Sequence, residues 1–531
     1  MVSPSQKSVS QRAPDSQTLK RAYDRVGYDA GVSAQTHPCQ IGGKASLFGV
    51  IAPDVRSAKI LEVGCALGQN LIPIASSLPE SVCIGVDISR QQIEHARREA
   101  QALNLTNVAF IDADIIGLAE ELGAFDYIIC HGVYSWVAHD VRGRLFEALS
   151  QLLSPTGLLY VSYNTLPGWS ECGALRSLVQ QISPGEDWSE SQIPLVDRWI
   201  TALPSGHIKS RYEHLWFNVF RDQPDFYKRH GIFAEFNVPR LLTELVNEAE
   251  LHNLFYVTDA ALHQDFPTHE HAELSAQSQH LSRIEQIQLL DFARHTTFRS
   301  SIFSKHPPYN QEHELNLTSL SRLSVISKLI EAPQHPQEDE TRSPPQARSY
   351  QERYQPVRAT GSPIDIELSV ANELIAAANR SWPQPLPLKP YLERISGATS
   401  ATSVVTQLIT LIIHDHADVY IDVPRGHHPQ ADDLSDTRYR PQLSAYNLHY
   451  MKRDQAHLTV QGLHDSTQLN YDQPWFPFIS LFDGSRDREA LVRDVQEHPK
   501  YASSPMAALS HIERLRSLEI DLHLFRQRGL I

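Results

Sequence analysis

Glu62, Gly64, Gly68 and Asp87 are the residues whose types and spacing point most directly to chemistry in this 531-residue chain. Glycines at 64 and 68 let the backbone bend sharply and approach a ligand closely. Asp87 follows Gly68 at about the 20-residue distance where a doubly wound fold places the acid that holds ribose hydroxyls. The turn reads Glu62-x-Gly64-x-x-x-Gly68 and departs from the G-x-G-x-x-G of a dinucleotide site. A carboxylate at Glu62 would repel a pyrophosphate but could face an ammonium group, directly or through water. The chemistry implied is capture of a nucleoside ligand with a cationic end.

The elements that must position these residues are legible around them. KILEV (59–63) and CIGV (83–86) are short apolar runs, the pattern of parallel strands covered on both faces, and Pro73 sits early enough in the intervening helix to be tolerated. Residues 108–115 read as a third strand closed by Asp112 and Asp114, 125–132 as a fourth and 156–165 as a fifth. Helix-like QQIEHARREAQAL and VRGRLFEALSQLL lie between them, and this alternation predicts an α/β, Rossmann-like parallel sheet. Ligands in such sheets sit beyond the carboxyl ends of the strands. That rule selects Gly64 to Gly68, Asp87 and Ile88, Asp114 and Ile115, and His131 to Trp136 as one rim, with Asp112 a solvated turn acid.

S-adenosylmethionine offers an ammonium, a ribose diol and an adenine, and carries no phosphate. The 58–87 segment resembles motifs I and II of class I methyltransferases, whose E-x-G-x-G-x-G form has Ala66 at its middle glycine here. A Rossmann-like domain with another ligand, or none, is the alternative. GVDISRQQIEHA, FDYIICHGVYSWV and YVSYNTLPGW, with Gln35 to Pro38 upstream, resemble a narrower bacterial family. These are the class I methyltransferases that carry a methyltransferase regulatory domain, and they include protein-lysine methyltransferases acting on outer membrane proteins. The similarity runs from about Tyr23 to Trp169, and more weakly through 289–303 and 481–492.

The resemblance implies a seven-stranded core and S-adenosylmethionine held by Glu62, Gly64, Cys65, Gly68, Asn70, Asp87, Ile88, Asp114, Ile115, His131 and Gly132. In that class the acid after the third strand accepts from the adenine amino group, which selects Asp114. Cys65 reads as small packing beside the turn and not as a nucleophile. A lysine acceptor must lose a proton before it can attack, and burial beside a positive sulfonium favours that loss. An aromatic channel would hold its alkyl stem. Tyr134 and Trp136 are the expected walls, with His131 beside them, and Asn164 and Tyr163 shape the pocket from the fifth strand. Tyr23, Tyr28 and His37 read either as a lid over the cofactor or as a packed capping segment.

Composition bounds the rest. The length allows two to four domains. A net charge of −15 disfavours a nucleic-acid surface and suits a basic, lysine-bearing protein partner. Five cysteines without paired spacing suit a reducing cytoplasm. No run approaches the roughly 20 apolar residues of a membrane span. The polar first 20 residues lack the apolar core of a signal peptide and read as a disordered tail, so a cytoplasmic location is expected. The histidine pairs 269/271, 414/416 and 427/428 form no H-E-x-x-H, so no metal is expected. No G-x-S-x-G elbow supports hydrolysis.

The expected organisation is a cofactor domain at 21–169, a middle region at 170–330, a linker at 331–363 and a C-terminal unit at 364–531. Within the middle region, 170–235 reads as an insertion where substrate-recognition caps sit. His214, Trp216 and Phe220 there line an entrance or simply pack. A last helix and strand follow near 237–262, and 280–303, with Phe292, Phe298 and Phe303, reads as an amphipathic helix belonging to the core. The C-terminal unit reads as three helices and a strand, a winged-helix-like α+β domain. Its third helix, 400–413, has no Lys or Arg, which argues against DNA and for protein contact or a homodimer. Two further helices are expected near 486–496, capped by Ser485, and 505–517.

Lysine methylation of a protein is the reading these features favour. A small-molecule methyltransferase, a non-catalytic S-adenosylmethionine-binding regulator, and a scaffold with a separable C-terminal unit are its alternatives.

Overall fold

A computed structural model describes residues 31–182, 190–234, 236–308 and 316–327, with Asp24 and Tyr28 ahead of them. Beyond these it describes chiefly 368–381, 385–395, 401–413, 416–421 and 488–498, with the ladders 329–331/354–356 and 457–461/466–470. The expected 1–20 tail, most of the 331–363 linker, Ser485 and most of the 505–517 helix lie outside the described residues.

The chain opens on α1 (Pro38–Leu47), then alternates β1 (Lys59–Val63), α2 (Leu71–Ser77), β2 (Val82–Asp87), α3 (Arg90–Ala102), β3 (Val108–Asp112), α4 (Ile115–Leu122), β4 (Phe125–Cys130), α5 (His139–Leu152) and β5 (Leu153–Asn164). Helices α6 (Trp169–Ile182), α7 (Ile193–Ala202) and α8 (His207–Glu213) and two π-helical stretches, His214–Phe220 and Lys228–Ile232, form the insertion. Then come α9 (Leu242–Glu250), β6 (Phe255–Asp259), α10 (Arg283–Arg294) and β7 (Phe298–Ser304).

One seven-stranded sheet results, in the order β3-β2-β1-β4-β5-β7-β6. The first five strands are parallel, and β7 runs antiparallel between β5 and β6. Side-chain alternation divides each strand between two cores. Ile60 faces one with Ile72, Ile93 and Phe110; Leu61 and Val63 face the other with Phe146, Leu149, Leu245 and Phe303. The expected seven-stranded Rossmann-like core is thus present.

The expected helix over 280–303 needs correction. Helix α10, with its Ser282/Glu285 capping box, ends at His295 in the left-handed region (φ 56°), and 298–304 is β7. Its serines conceal the strand, because cross-strand phenols satisfy them: Tyr160 Oη donates to Ser300 Oγ (2.9 Å) and Tyr163 pairs with Ser301 (3.3 Å). A strand with its polar atoms partnered can be buried without an apolar run.

The C-terminal unit contains α11 (Leu368–Ser381), α12 (Leu388–Ile395) and α13 (Ala401–Ile413), the three expected helices. Its antiparallel sheet joins Leu386–Pro387 and Ala417–Ile421 on either side of Leu323–Ser327, a strand from ahead of the 331–363 stretch. This winged-helix-like unit packs on α1, whose ten residues are all buried. Close approach is permitted by two glycines. A Cβ on Gly42 would meet Ile421 and Tyr127 at 2.8 Å, and one on Gly43 would meet the Val419 carbonyl at 2.9 Å. Gln40 donates to Tyr420 Oη (2.9 Å), and buried Lys44 donates to Gln40 Oε1 (2.9 Å), with Asp418 3.9 Å away. The unit is therefore continuous with the core that carries the 64–68 turn. Among the described residues, no helix is long and apolar enough to cross a membrane.

Candidate cofactor and acceptor site

The parallel register aligns the carboxyl ends of the strands: Val63 lies beside Val86 and Cys130, and Cys130 beside Val161. The chain order reverses across β1 and β4, the switch point where such sheets bind ligands. The residues leaving those strands therefore meet on one rim.

Glu62 sits near the end of β1, 4 % exposed. Asn70 Nδ2 donates to its Oε1 (2.7 Å), while its buried Oε2 has no hydrogen-bond partner. Burial pushes this carboxyl up to about 8, the Asn70 hydrogen bond opposes the shift, and Asp87 adds to it. Asn70 is held in turn from above, its Oδ1 accepting from Ser33 N–H (3.0 Å) and Thr36 Oγ (3.1 Å).

The turn bends through Gly64 (φ 72°), where a Cβ would meet Val133 Cγ2 at 2.5 Å. Ala66 follows in the left-handed region (φ 46°), and its N–H donates to Asp87 Oδ2 (2.9 Å). Asp87 Oδ1 accepts from Ser89 N–H (2.8 Å). Each Asp87 oxygen keeps a lone pair that a ribose hydroxyl can use. Gly68 and Cys65 do other work. A Cβ at 68 would strike Ala96 and Phe110 at 2.9 Å, and Cys65 Sγ packs on Gly85. Burial raises the Cys65 thiol well above its ordinary range, so its side chain is inert packing, and only its backbone belongs to the turn. Ile88 is half-buried beside Asp87. Asp114 is exposed and caps α4 through Ile116 N–H (3.0 Å), with Ile115 buried behind it.

After β4 the residues divide. His131 is half-buried; its Nδ1 lies 3.1 Å from Tyr160 Oη, and its ring stands 6.2 Å edge-on from Phe298. Burial lowers its pKa to about 4, so it is neutral near pH 7. Gly132 (φ 70°) is exposed, with its N–H held by Ser162 Oγ (2.8 Å). Tyr134, expected as a channel wall, is instead fully buried. Its ring packs on Phe146 and Tyr163, and its hydroxyl donates to Glu248 (2.5 Å). The one-turn helix Tyr134–Trp136 carries it beneath the rim.

Trp136 and Asn164 turn toward the insertion. Trp136 Nε1 donates to the Gly231 carbonyl (3.0 Å), Asn164 Nδ2 to Asn237 Oδ1 (2.8 Å), and Asn237 Nδ2 to the same Gly231 carbonyl (2.7 Å). They anchor the insertion to the sheet. Trp216 and Phe220, at 0 % and 3 % exposed, form the insertion's own core with Trp169 and Ile200, so they pack and line no entrance; His214 is exposed.

The N-terminal segment crosses the same region. Ser89 Oγ donates to Asp24 (2.6 Å), and Tyr28 stands edge-on to Phe226 of the insertion at 5.3 Å. His37 is a packed cap: its Nδ1 accepts from Cys39 N–H (3.2 Å), and its Nε2 meets Ser77 (3.0 Å). Tyr23 lies outside the described residues.

Residues 61–159 match the family described as a methyltransferase domain, and residues 225–305 match a predicted methyltransferase regulatory domain. The chain thus carries a methyltransferase domain. It is 32 % identical to RP789, an uncharacterized protein of Rickettsia prowazekii, over 58 % of this chain and 57 % of that one. It is 40 % identical to RP028 of the same organism over 30 % of this chain and 65 % of RP028. The chain thus spans between half and two thirds of the curated relatives it matches. PKMT2 from Rickettsia typhi, solved in complex with AdoHcy, shares the fold over 95 % of this chain and 99 % of its own, with a TM-score of 0.76 at 21 % identity.

The methyltransferase-domain match and the neighbour solved with AdoHcy indicate S-adenosylmethionine as the cofactor, and the turn fits it. The unpartnered, buried Glu62 Oε2 suits the methionine ammonium, the glycine approach at 64 suits the amino-acid moiety, and Asp87 suits the ribose. The regulatory-domain match contains β6 and β7, so it completes the seven-stranded sheet.

Sequence reasoning missed Ser33, Thr36, Asn237 and Phe298. Only Phe298 was signalled, as an aromatic assigned to the core; it is 36 % exposed beside His131.

Proposed function

We propose that the protein transfers methyl groups from S-adenosylmethionine to lysine side chains of a protein substrate, envelope proteins among them, and works in the cytoplasm. The observation that carries the reading is Glu62, a buried carboxyl with one oxygen committed to Asn70 and the other unpartnered beside the ribose acid Asp87. The fold shared with PKMT2 over nearly the whole chain, insertion and C-terminal unit included, supports a protein substrate.

The cofactor supplies an electrophilic methyl: the amine lone pair forms the new N–C bond as the S–C electron pair returns to sulfur. The chain's own residues bind, align and exclude water. Glu62 would hold the methionine ammonium of the cofactor, Asp87 its ribose and Asp114 its adenine, and Gly64 and Gly132 keep the rim open. Trp136 and Asn164, through Asn237 and Gly231, fix the insertion over the acceptor side.

The test is transfer of labelled methyl groups into unfolded envelope proteins and, separately, into a small-metabolite extract. Methyl-lysine in the protein hydrolysate is the expected product. Label confined to metabolites would replace the protein acceptor with a small molecule, and cofactor binding without transfer to either would favour a regulator.

A further inference from the structure

We propose that His131 is the residue that seats the acceptor amine, presenting its Nε2 lone pair to an amine N–H; this rests on the amine-methylation reading above. Tyr160 Oη donates to Ser300 Oγ (2.9 Å), so what it offers His131 Nδ1, 3.1 Å away, is a lone pair. Nδ1 therefore carries the proton and Nε2 does not. The two ring nitrogens face opposite ways, and Tyr160 is fully buried, so Nε2 points away from the interior. Among the described residues nothing engages it.

The surroundings suit a lysine head. His131 directly follows β4, on the rim where Glu62 and Asp87 also stand. Gly132 leaves space, since a Cβ there would meet nothing within 4 Å. The half-exposed Phe298 ring lies edge-on to the imidazole and offers an apolar surface to an alkyl stem. Tyr160 pins the ring and Ser162 pins the neighbouring backbone, so the acceptor nitrogen is held in place before substrate arrives.

Burial keeps the imidazole neutral, with a pKa near 4, which makes it a weak base and a serviceable acceptor. The lysine ammonium gives its first proton to solvent. The neutral amine then donates a remaining N–H to Nε2, which turns its lone pair toward the methyl. After transfer the nitrogen is a methylammonium whose N–H still faces Nε2.

Two substitutions in the full chain separate the nitrogens. In His131→Asn the amide reaches the Nδ1 position and the outward acceptor is lost; in His131→Gln the carbonyl reaches the Nε2 position. The Asn variant should lose about tenfold in kcat, the worth of one hydrogen bond of about 1.4 kcal/mol, and the Gln variant should recover most of it. Circular dichroism and thermal unfolding serve as the folding control. A lysine peptide should bind wild type and the Gln variant more tightly than its norleucine counterpart at pH 9, and the Asn variant should not discriminate. Nitrogen-15 shifts of His131 should report a protonated Nδ1. A protonated Nε2, or equal behaviour of both variants and wild type, overturns the assignment while leaving lysine methylation standing. If wild type forms no methyl-lysine, the functional reading falls and takes this one with it.

Discussion

In the proposed function Glu62 links the cofactor to protons. Its carboxyl, held near 8 against an ordinary 4.5, has a folded-state value above its unfolded one. Its contribution to stability is therefore full below about pH 4.5 and is lost as pH rises through about 8. At pH 7 it is mostly protonated, whereas an ammonium ligand needs the carboxylate. Cofactor binding at pH 7 should thus release up to about one proton per site, seen as a dependence of the calorimetric heat on buffer ionisation enthalpy. Glu62→Gln should abolish that release and weaken binding about tenfold or more. Unchanged heats across buffers in wild type would mean that Glu62 is already ionised. Ala66 holds a left-handed conformation that costs roughly 1–2 kcal/mol for a residue with a Cβ. Ala66→Gly should stabilise the fold by about 0.5–1 kcal/mol once the extra freedom of glycine in the unfolded chain is deducted, and thermal unfolding would show it.

Among the elements, β6, β7 and α10 are tied by a buried ionic cluster that lies inside the regulatory-domain match. Arg299, 0 % exposed, reaches Asp291 (2.8 Å), Asp265 (3.2 Å) and Asp259 (3.3 Å), and Arg283 also reaches Asp265 (3.3 Å). Burial raises Asp259 to about 6 against the pull of Arg299; at Asp265 burial acts the same way, but the two guanidiniums outweigh it and lower the pKa. Arg299→Met would leave three carboxylates facing Arg283 alone and should cost about 3–5 kcal/mol at pH 7. Acid protonates those carboxylates, so the gap in melting temperature between wild type and variant should narrow from pH 7 to pH 5. A constant gap would mean that the loss is one of packing. The insertion hangs on a smaller network, Trp136–Gly231–Asn237–Asn164. Asn237→Ala should raise KM for a protein substrate several-fold while cofactor affinity stays near wild type, because among the described residues Asn237 bonds Asn164 and Gly231 and makes no hydrogen bond to the Glu62–Asn70 turn or Asp87.

For the whole molecule, the C-terminal unit and the cofactor turn share a core through α1. The helix bears on that unit through Gly42 and Gly43, and the segment leading into it holds Asn70 through Ser33 and Thr36. Truncation at about residue 330 would leave the 323–327 strand without Ala417–Ile421 and expose one face of α1. The truncated protein should therefore melt earlier and bind S-adenosylmethionine more weakly, outcomes a freely separable unit would not produce. Gly43→Ala tests the same contact with one methyl group. Backbone on the opposing strand cannot give way, so a cost of about 1–3 kcal/mol and weaker cofactor binding are expected.

By itself the sequence determined the strand–turn–helix at 59–77, the acid Asp87 at the end of β2, the parallel order of the first five strands, and the three helices of the C-terminal unit. These rest on local signals: apolar runs, glycines where φ is positive, and helical periodicity. Direction and partnership belonged to the tertiary structure. Tyr134 and His131 stand three residues apart in CHGVYSW, yet the bend after β4 buries one and leaves the other on the rim, because side-chain direction beyond a strand end follows the turn. The β7 strand was invisible because its serines find their partners in tyrosines about 140 residues away. Asn70 declared itself only through Ser33 and Thr36, and α1 only through a strand at 417–421, since contacts across hundreds of residues leave no periodic trace in the chain.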